Sequence, residues 1–191
     1  MPKLIIILSG KRKSGKSFLT EALTDYFGGD NCCVLTLAAP LKKQYAETHG
    51  LDYNRLLDTS GYKELYRIDM IKFGEHKRAM EPSCFCTMAI DQIEEKFRKD
   101  ESKIWIVSDA RNKYDIDYFI ANYGKERVKL VRVVASDSVR DTRGFVFTRG
   151  VDDNNSECEL DDFETWDLVF WNNNSSEFEN IMTQLRDLIY S

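Results

Sequence analysis

Gly10-Lys11-Arg12-Lys13-Ser14-Gly15-Lys16-Ser17 satisfies every fixed position of G-x-x-x-x-G-K-[ST]. The chemistry that spacing allows is specific. Glycines let successive backbone N–H groups turn inward, where they donate to phosphate oxygens. The lysine brings a point charge to the terminal phosphates, and the following hydroxyl can ligate a divalent cation. Gly10, Lys11, Arg12, Lys13, Ser14, Gly15, Lys16 and Ser17 are therefore expected to hold a nucleoside triphosphate, with Ser17 at a Mg²⁺ ion. The setting agrees. Leu4 to Leu8 is an apolar run of strand length, and Phe18, Leu19, Ala22, Leu23, Tyr26 and Phe27 recur near helical period after the loop. Phosphate would then meet the positive end of a helix.

Further residues of the right type follow the other apolar runs. Ile104 to Val107 leads into Ser108-Asp109, an arrangement by which enzymes with this loop bring a carboxylate to Mg²⁺; an acidic helix cap is the competing reading. Arg111 falls just beyond, at the carboxyl end of the strand, where ligands of open α/β sheets bind. Arg140 and Arg143 follow the run ending at Val134, and their i, i+3 spacing puts them on one helix face, able to clamp phosphates under a closing lid. With Arg78 and Arg132, they give an acidic protein arginines concentrated near the ends of its expected elements.

Two segments imitate a GTPase. Leu57-Asp58-Thr59-Ser60-Gly61 contains D-x-x-G, and Asn112-Lys113-Tyr114-Asp115 matches the guanine-reading N-K-x-D. D-x-x-G must follow a buried strand, yet Asp52, Asn54 and Arg55 make its approach polar. N-K-x-D is separated from its strand by residues 108–111. Both are read as coincidences of loop composition. The acidic stretch from Asp152 to Asp162 is read as a surface loop. It is no calcium-binding EF-hand, because Glu157 stands where Gly is required and Phe163 where the bidentate Glu belongs.

These side chains need a scaffold, and the alternation of apolar runs supplies one. Runs at Leu4 to Leu8, Cys32 to Leu37, Ile104 to Val107, Leu130 to Val134 and Leu168 to Trp171 are each followed by residues that can be helical. Gly28-Gly29 ends the first helix, while Tyr62 to Lys77 and Cys84 to Phe97 form two more on either side of Pro82. Short apolar strands alternating with helices predict a three-layer α/β fold, a parallel sheet flanked by helices.

At 191 residues, the chain suits one domain with its own core. The content of 42% hydrophobic and 31% charged residues excludes a disordered or fibrous protein. Five cysteines without a Cys-x-x-Cys pair, and only two histidines, argue against a disulfide framework or a structural zinc site. Leu4 to Leu8 is too short for a membrane span and lacks a following cleavage site, so neither secretion nor membrane association is expected, and the cytoplasm is the default. A formal net charge of −5 disfavours nucleic acid; the basic cluster at Lys11, Arg12, Lys13 and Lys16 suits a small polyanion.

Over nearly its whole length, the sequence resembles the animal-type phosphomevalonate kinases. The resemblance rests on Gly10 to Lys16 as G-K-R-K-S-G-K, Leu56 to Ser60 as L-L-D-T-S, Asp69-Met70-Ile71, Val107-Ser108-Asp109 with Arg111, Arg140-x-x-Arg143-Gly144-x-Val146-Phe147-Thr148, and Gly150-Val151-Asp152-Asp153. It implies a single P-loop kinase domain, similar to nucleoside monophosphate kinases. An acceptor-binding helical region would span about 40–100 and a lid about 136–149. The implied reaction is transfer of the ATP γ-phosphoryl group to 5-phosphomevalonate, with Mg²⁺, by a monomer.

The resemblance further implies that Lys42, Lys63, Arg67, Arg78, Arg111, Arg132 and Asn172 face the acceptor. Arg140, Arg143 and Asn173 would serve ATP, and Lys13, Lys16, Arg111 and Arg143 catalysis. Two positions depart from the family pattern. Ser17 stands where some members carry Asp, so the division of Mg²⁺ binding between Ser17 and Asp109 stays open. Asn112 replaces a second arginine after Arg111. A related kinase acting on another small molecule or a nucleoside monophosphate is the alternative, and a GTP-dependent switch a third.

Overall fold

The structure is a computed structural model that describes residues 1–58, 61–97, 103–174 and 176–190. Its frame is a five-stranded sheet built from β1 (Leu4–Ser9), β2 (Cys32–Leu35), β3 (Ile104–Ala110), β4 (Val128–Val134) and β5 (Leu168–Trp171), in the order β2-β3-β1-β4-β5. Every pairing is parallel. β1 lies at the centre, and all six of its residues are buried. Its side chains alternate between two cores. Ile5 and Ile7 pack with Leu35, Val107, Phe119 and Leu130 on one face; Leu4, Ile6 and Leu8 pack with Leu19, Leu23, Phe170 and Leu185 on the other. A strand covered on both faces must be apolar throughout, which is why this stretch reads as a continuous run.

Around the sheet lie α1 (Lys16–Phe27), α2 (Ala38–His49), α3 (Tyr53–Leu57), α4 (Tyr62–Met80), α5 (Cys84–Phe97), α6 (Lys113–Tyr123), α7 (Asp137–Thr142), α8 (Asn155–Cys158) and α9 (Ser176–Tyr190). Gly28 closes α1 at φ 82°. A third, smaller apolar cluster, Tyr45, Ala46, Leu56 and Met70, joins α2, α3 and α4 into a helical wing beside the sheet. The wing carries four of the expected acceptor-side cations, Lys42, Lys63, Arg67 and Arg78.

Several expectations are corrected. β2 ends at Leu35, since Leu37 already caps α2. β3 continues past Val107 to Ala110, because β1 still pairs with it at Ser9↔Ala110 beyond a shift in register. Asp109 therefore lies within the strand. The acidic stretch after Gly150 is no loose surface loop: Val151 and Leu160 are 1% and 2% exposed, and α8 forms between them. Those two apolar residues anchor the segment and fold its carboxylates over the protein.

The N-K-x-D match has a structural cause. Asn112 caps α6, and the Asp115 carboxylate accepts from the backbone N–H of Arg111 (2.9 Å) and Asn112 (3.0 Å). The tetrapeptide is thus a helix start. Thr59 and Ser60 of the D-x-x-G match lie outside the described residues.

Candidate active site

The turn from β1 to α1 forms the centre. Gly10 has φ 157°, and a Cβ there would fall 2.3 Å from the Val133 oxygen; Gly15 has φ 103°, and its Cβ would meet Asn172 Nδ2 at 2.0 Å. Neither position tolerates a side chain. Lys13 also takes a positive φ, 63°. From this loop α1 begins at Lys16, so the first-turn N–H groups of Lys16 and Ser17 face the loop without intrahelical acceptors. Ser14 Oγ is fully buried within the loop and has no partner among the described residues.

Lys16 turns back over the loop, donating to the carbonyls of Gly10 (2.5 Å) and Lys11 (3.1 Å). Burial, with the Arg111 guanidinium nearby, pushes its ammonium down to about 7. Such a lysine is held ready for an anion that restores its proton. An open cleft of roughly 880 Å³ extends from here to the helical wing.

Lining this cleft are Arg12, Lys13, Gly15, Lys16 and Ser17 from the loop, Lys42, Lys63, Arg67 and Arg78 from α2 and α4, and Asp109, Arg111 and Arg143. The sequence separates these groups by up to 131 positions; the β1–β3 pairing and the wing bring them to one space. Lys42 and Lys63 are both lowered from the ordinary lysine range, first by burial and then by a neighbouring charge, that of Lys63 at Lys42 and that of Arg67 at Lys63. Lys63 donates to the Asp58 carbonyl at 2.8 Å. Arg67 is held by Glu64 on the same helix, with Nε at 2.6 Å, and that bond raises it further.

Of the remaining expected site residues, Arg132, Arg140, Asn172 and Asn173 lie beside the cleft, whereas Arg143 reaches its lining. Arg140 is 7% exposed; its Nε donates to the Arg12 carbonyl (2.9 Å) and its guanidinium stacks 3.7 Å from the Phe145 ring centre. Arg143 donates to the carbonyls of Lys13 (3.3 Å), Ser14 (3.1 Å) and Asn172 (2.8 Å). Both arginines grip the phosphate loop's backbone, although they end a single short helix, as their spacing suggests. Asn172 Nδ2 braces the same loop at the Ser14 carbonyl (3.0 Å), while Asn173 Oδ1 accepts from Ser136 N–H at the start of α7 (2.9 Å). Arg132 reaches Ser9 Oγ (3.1 Å) beneath the loop.

Asp109 has a double character. Its oxygens accept from the backbone N–H groups of Leu37 (2.7 Å) and Ala38 (3.0 Å), which start α2, and burial raises its carboxyl above the usual range. It does cap a helix, but one on the neighbouring strand connection rather than its own. Each oxygen keeps a second lone pair, so with Ser17 across the cleft the pair fits a hard cation such as Mg²⁺ that retains most of its waters.

Sequence reasoning missed the carboxylates that hold the cations. Arg111 is paired with Glu157, Arg12 with Asp152 (2.8 Å), Lys11 with Asp161 (2.6 Å) and Arg132 with Asp161 (2.8 Å). Asp115, 1% exposed, faces Arg78 at 3.6 Å. The signal was there in Val151 and Leu160, apolar residues flanking an acidic run that a solvated loop would not need.

A parallel sheet with a glycine-rich phosphate loop at its central strand, opening on a cation-lined cleft, defines a P-loop kinase of the small-molecule type. Solved structures agree on the fold. TT1252 from Thermus thermophilus superposes with a TM-score of 0.53 at 18% identity, covering 97% of this chain and 99% of that one. A gluconokinase from Sinorhizobium meliloti 1021 gives 0.50 at 16% identity, covering 98% and 92%. Residues 8–125 match the family model of phosphomevalonate kinase. A phosphomevalonate kinase of Drosophila melanogaster is 38% identical over 178 residues, 93% of this chain and 92% of the relative. The chain belongs to the phosphomevalonate kinase family.

Proposed function

We propose that this protein transfers the γ-phosphoryl group of ATP to 5-phosphomevalonate, giving ADP and 5-diphosphomevalonate, as a monomer in the cytoplasm. The observation that carries the reading is the second set of cations, Lys42, Lys63, Arg67, Arg78 and Arg111, facing the phosphate loop across one cleft. A nucleotide alone does not need them. An acceptor with its own phosphate and carboxylate does: two like unit charges at 4 Å repel by about 4 kcal/mol at an effective dielectric near 20.

In this reading, the loop N–H groups and Lys16 hold the β- and γ-phosphates, with Lys11, Arg12 and Lys13 adding charge at the rim. Ser14 Oγ, without a partner among the described residues, would donate inside the loop. Arg140, Arg143 and Asn172 support catalysis by fixing the loop's shape, a role their bonds to its carbonyls favour over direct contact. Arg111 and the wing orient the acceptor oxygen for in-line attack. That oxygen is already ionised near neutral pH, since a second phosphate pKa is about 6, so the site needs no general base. Ser17 and Asp109 would hold Mg²⁺, whose charge would offset that building up on the transferring phosphoryl group.

Residues 40–100 act as the acceptor-binding region and 136–149 as a lid. Val146 and Phe147, 73% and 60% exposed just after α7, support that role, because closure of this segment over a ligand would bury them. Among the described residues, no helix is long and apolar enough to cross a membrane.

The test is a coupled ADP-release assay with 5-phosphomevalonate, AMP, CMP or no acceptor, and ATP or GTP as donor. Turnover with ATP and 5-phosphomevalonate alone is expected. Release that is faster with a nucleoside monophosphate moves the assignment to that class.

A further inference from the structure

Between Asp152 and Asp161, three carboxylates each hold a cation of the candidate site: Asp152 at Arg12 (2.8 Å), Glu157 at Arg111, and Asp161 at both Lys11 (2.6 Å) and Arg132 (2.8 Å). These pairs are not incidental surface contacts. The side chain of Glu157 is 6% exposed and lines the same cleft as Arg111, Lys16 and Lys42. A carboxylate at that depth is costly unless a cation sits against it. Burial depresses Lys16 and Arg132 first, Arg111 lies close enough to add to the effect at both, and Glu157 offsets the repulsion at each.

An acceptor phosphate arriving at Arg111 needs the same N–H donors that Glu157 now engages, and two anions cannot share them without repelling. Between the anchors Val151 and Leu160 the segment is lightly held: α8 is only four residues long, Gly150 before it has φ 79°, and among the described residues one exposed hydrogen bond ties it to the wing, Asn154 Nδ2 to Glu75 at 3.0 Å. Behind Glu157, Glu159 remains anchored, accepting from the Lys113 N–H at 2.9 Å.

We propose that Glu157 is an internal competitor of the acceptor: it neutralises and orients Arg111 until the acceptor's phosphate displaces it. The proposal rests on the functional reading above and adds a determinant of acceptor affinity to it. Glu157 touches no reacting atom and acts only through Arg111. Its carboxylate lowers acceptor affinity while keeping three neighbouring cations from driving one another apart.

Glu157→Gln retains the shape of the side chain and an acceptor oxygen but removes the charge. Calorimetric titration of the variant with 5-phosphomevalonate should give a Kd roughly two- to fivefold lower than wild type, the scale of a part-exposed ion pair. ATP affinity should move less, and the ligand-free melting temperature should fall. Acceptor binding that weakens or stays the same overturns the proposal.

Wild-type hydrogen exchange gives a second reading that does not depend on the variant's folding. Amides of 153–158 should exchange faster once 5-phosphomevalonate is bound, and unchanged or slower exchange counts against displacement. Wild-type turnover on 5-phosphomevalonate is measured first. Its absence sinks the functional reading alone, and the Glu157 comparison is then made with inorganic phosphate as the probe.

Discussion

At Lys16, two carbonyls of its own loop stand where phosphate oxygens would be better partners. Its ammonium is depressed to about 7, so the penalty of burying the charge is present in full below that pH. As pH rises from about 7 towards the unfolded value near 10.4, the folded chain sheds a proton that the unfolded chain keeps, and the penalty fades. A bound triphosphate reverses the shift. Near pH 8, nucleotide binding should therefore take up as much as about one proton, seen as a heat that varies with the ionisation enthalpy of the buffer. A buffer-independent heat would show that Lys16 is charged throughout. Lys16→Met should abolish turnover while the far-ultraviolet circular dichroism stays native. Arg111→Ala should raise the KM for the acceptor by an amount equivalent to about 1.5 to 3 kcal/mol with ATP binding nearly unchanged. Parallel loss of both affinities would remove Arg111 from the acceptor side. Such roles were legible because the loop pattern is local. Glu157 was not, since its meaning depends on Arg111, 46 positions away.

Among the elements, the junction of β3 and α6 shows how a motif can be real and misread. Asn112-Lys113-Tyr114-Asp115 matches the guanine-reading pattern because Asn and Asp at this spacing also serve to cap a helix, as they do here. Only the position of α4 decides between them: Arg78 approaches Asp115 and stacks 4.8 Å from the Phe85 ring centre, making Asp115 a buried structural anion. Asp115→Ala should then cost about 2 to 4 kcal/mol of stability, because the N–H groups of Arg111 and Asn112 and the Arg78 charge would lose their acceptor together. Chemical denaturation measures it, and a cost under about 0.5 kcal/mol would place Asp115 with ordinary surface positions. The strands and the helices α1, α4 and α5 were readable from periodicity to within a few residues. The wing was harder. Its α2 begins on backbone N–H groups capped by Asp109 from a strand some seventy positions later, a bond no local window contains.

For the whole molecule, a formal charge of −5 coexists with a cleft that gathers cations from the loop, the wing and Arg111 just after β3. Ligand anions should thus stabilise it strongly. At a hundredfold excess over Kd, binding adds about 2.7 kcal/mol, which for a chain of this size means a rise in melting temperature of roughly 5 to 10 °C with ATP. Added salt should shrink the rise by screening the rim. A melting temperature indifferent to ATP would contradict the site. The sheet order has a consequence for how the protein is made. β1 leaves the ribosome before the other four strands of the sheet, yet its partners are β3 and β4, and Leu4 pairs with Ile104. At about 5 to 20 residues per second, the strand waits roughly 5 to 20 s before β3 has even been synthesised. Throughout that interval, Leu4 to Leu8 is an unpaired hydrophobic ribbon that invites chaperone capture. The glycine turn attached to it has no Val133 or Asn172 to close upon, so nascent chains stalled before β4 should not be retained on immobilised ATP.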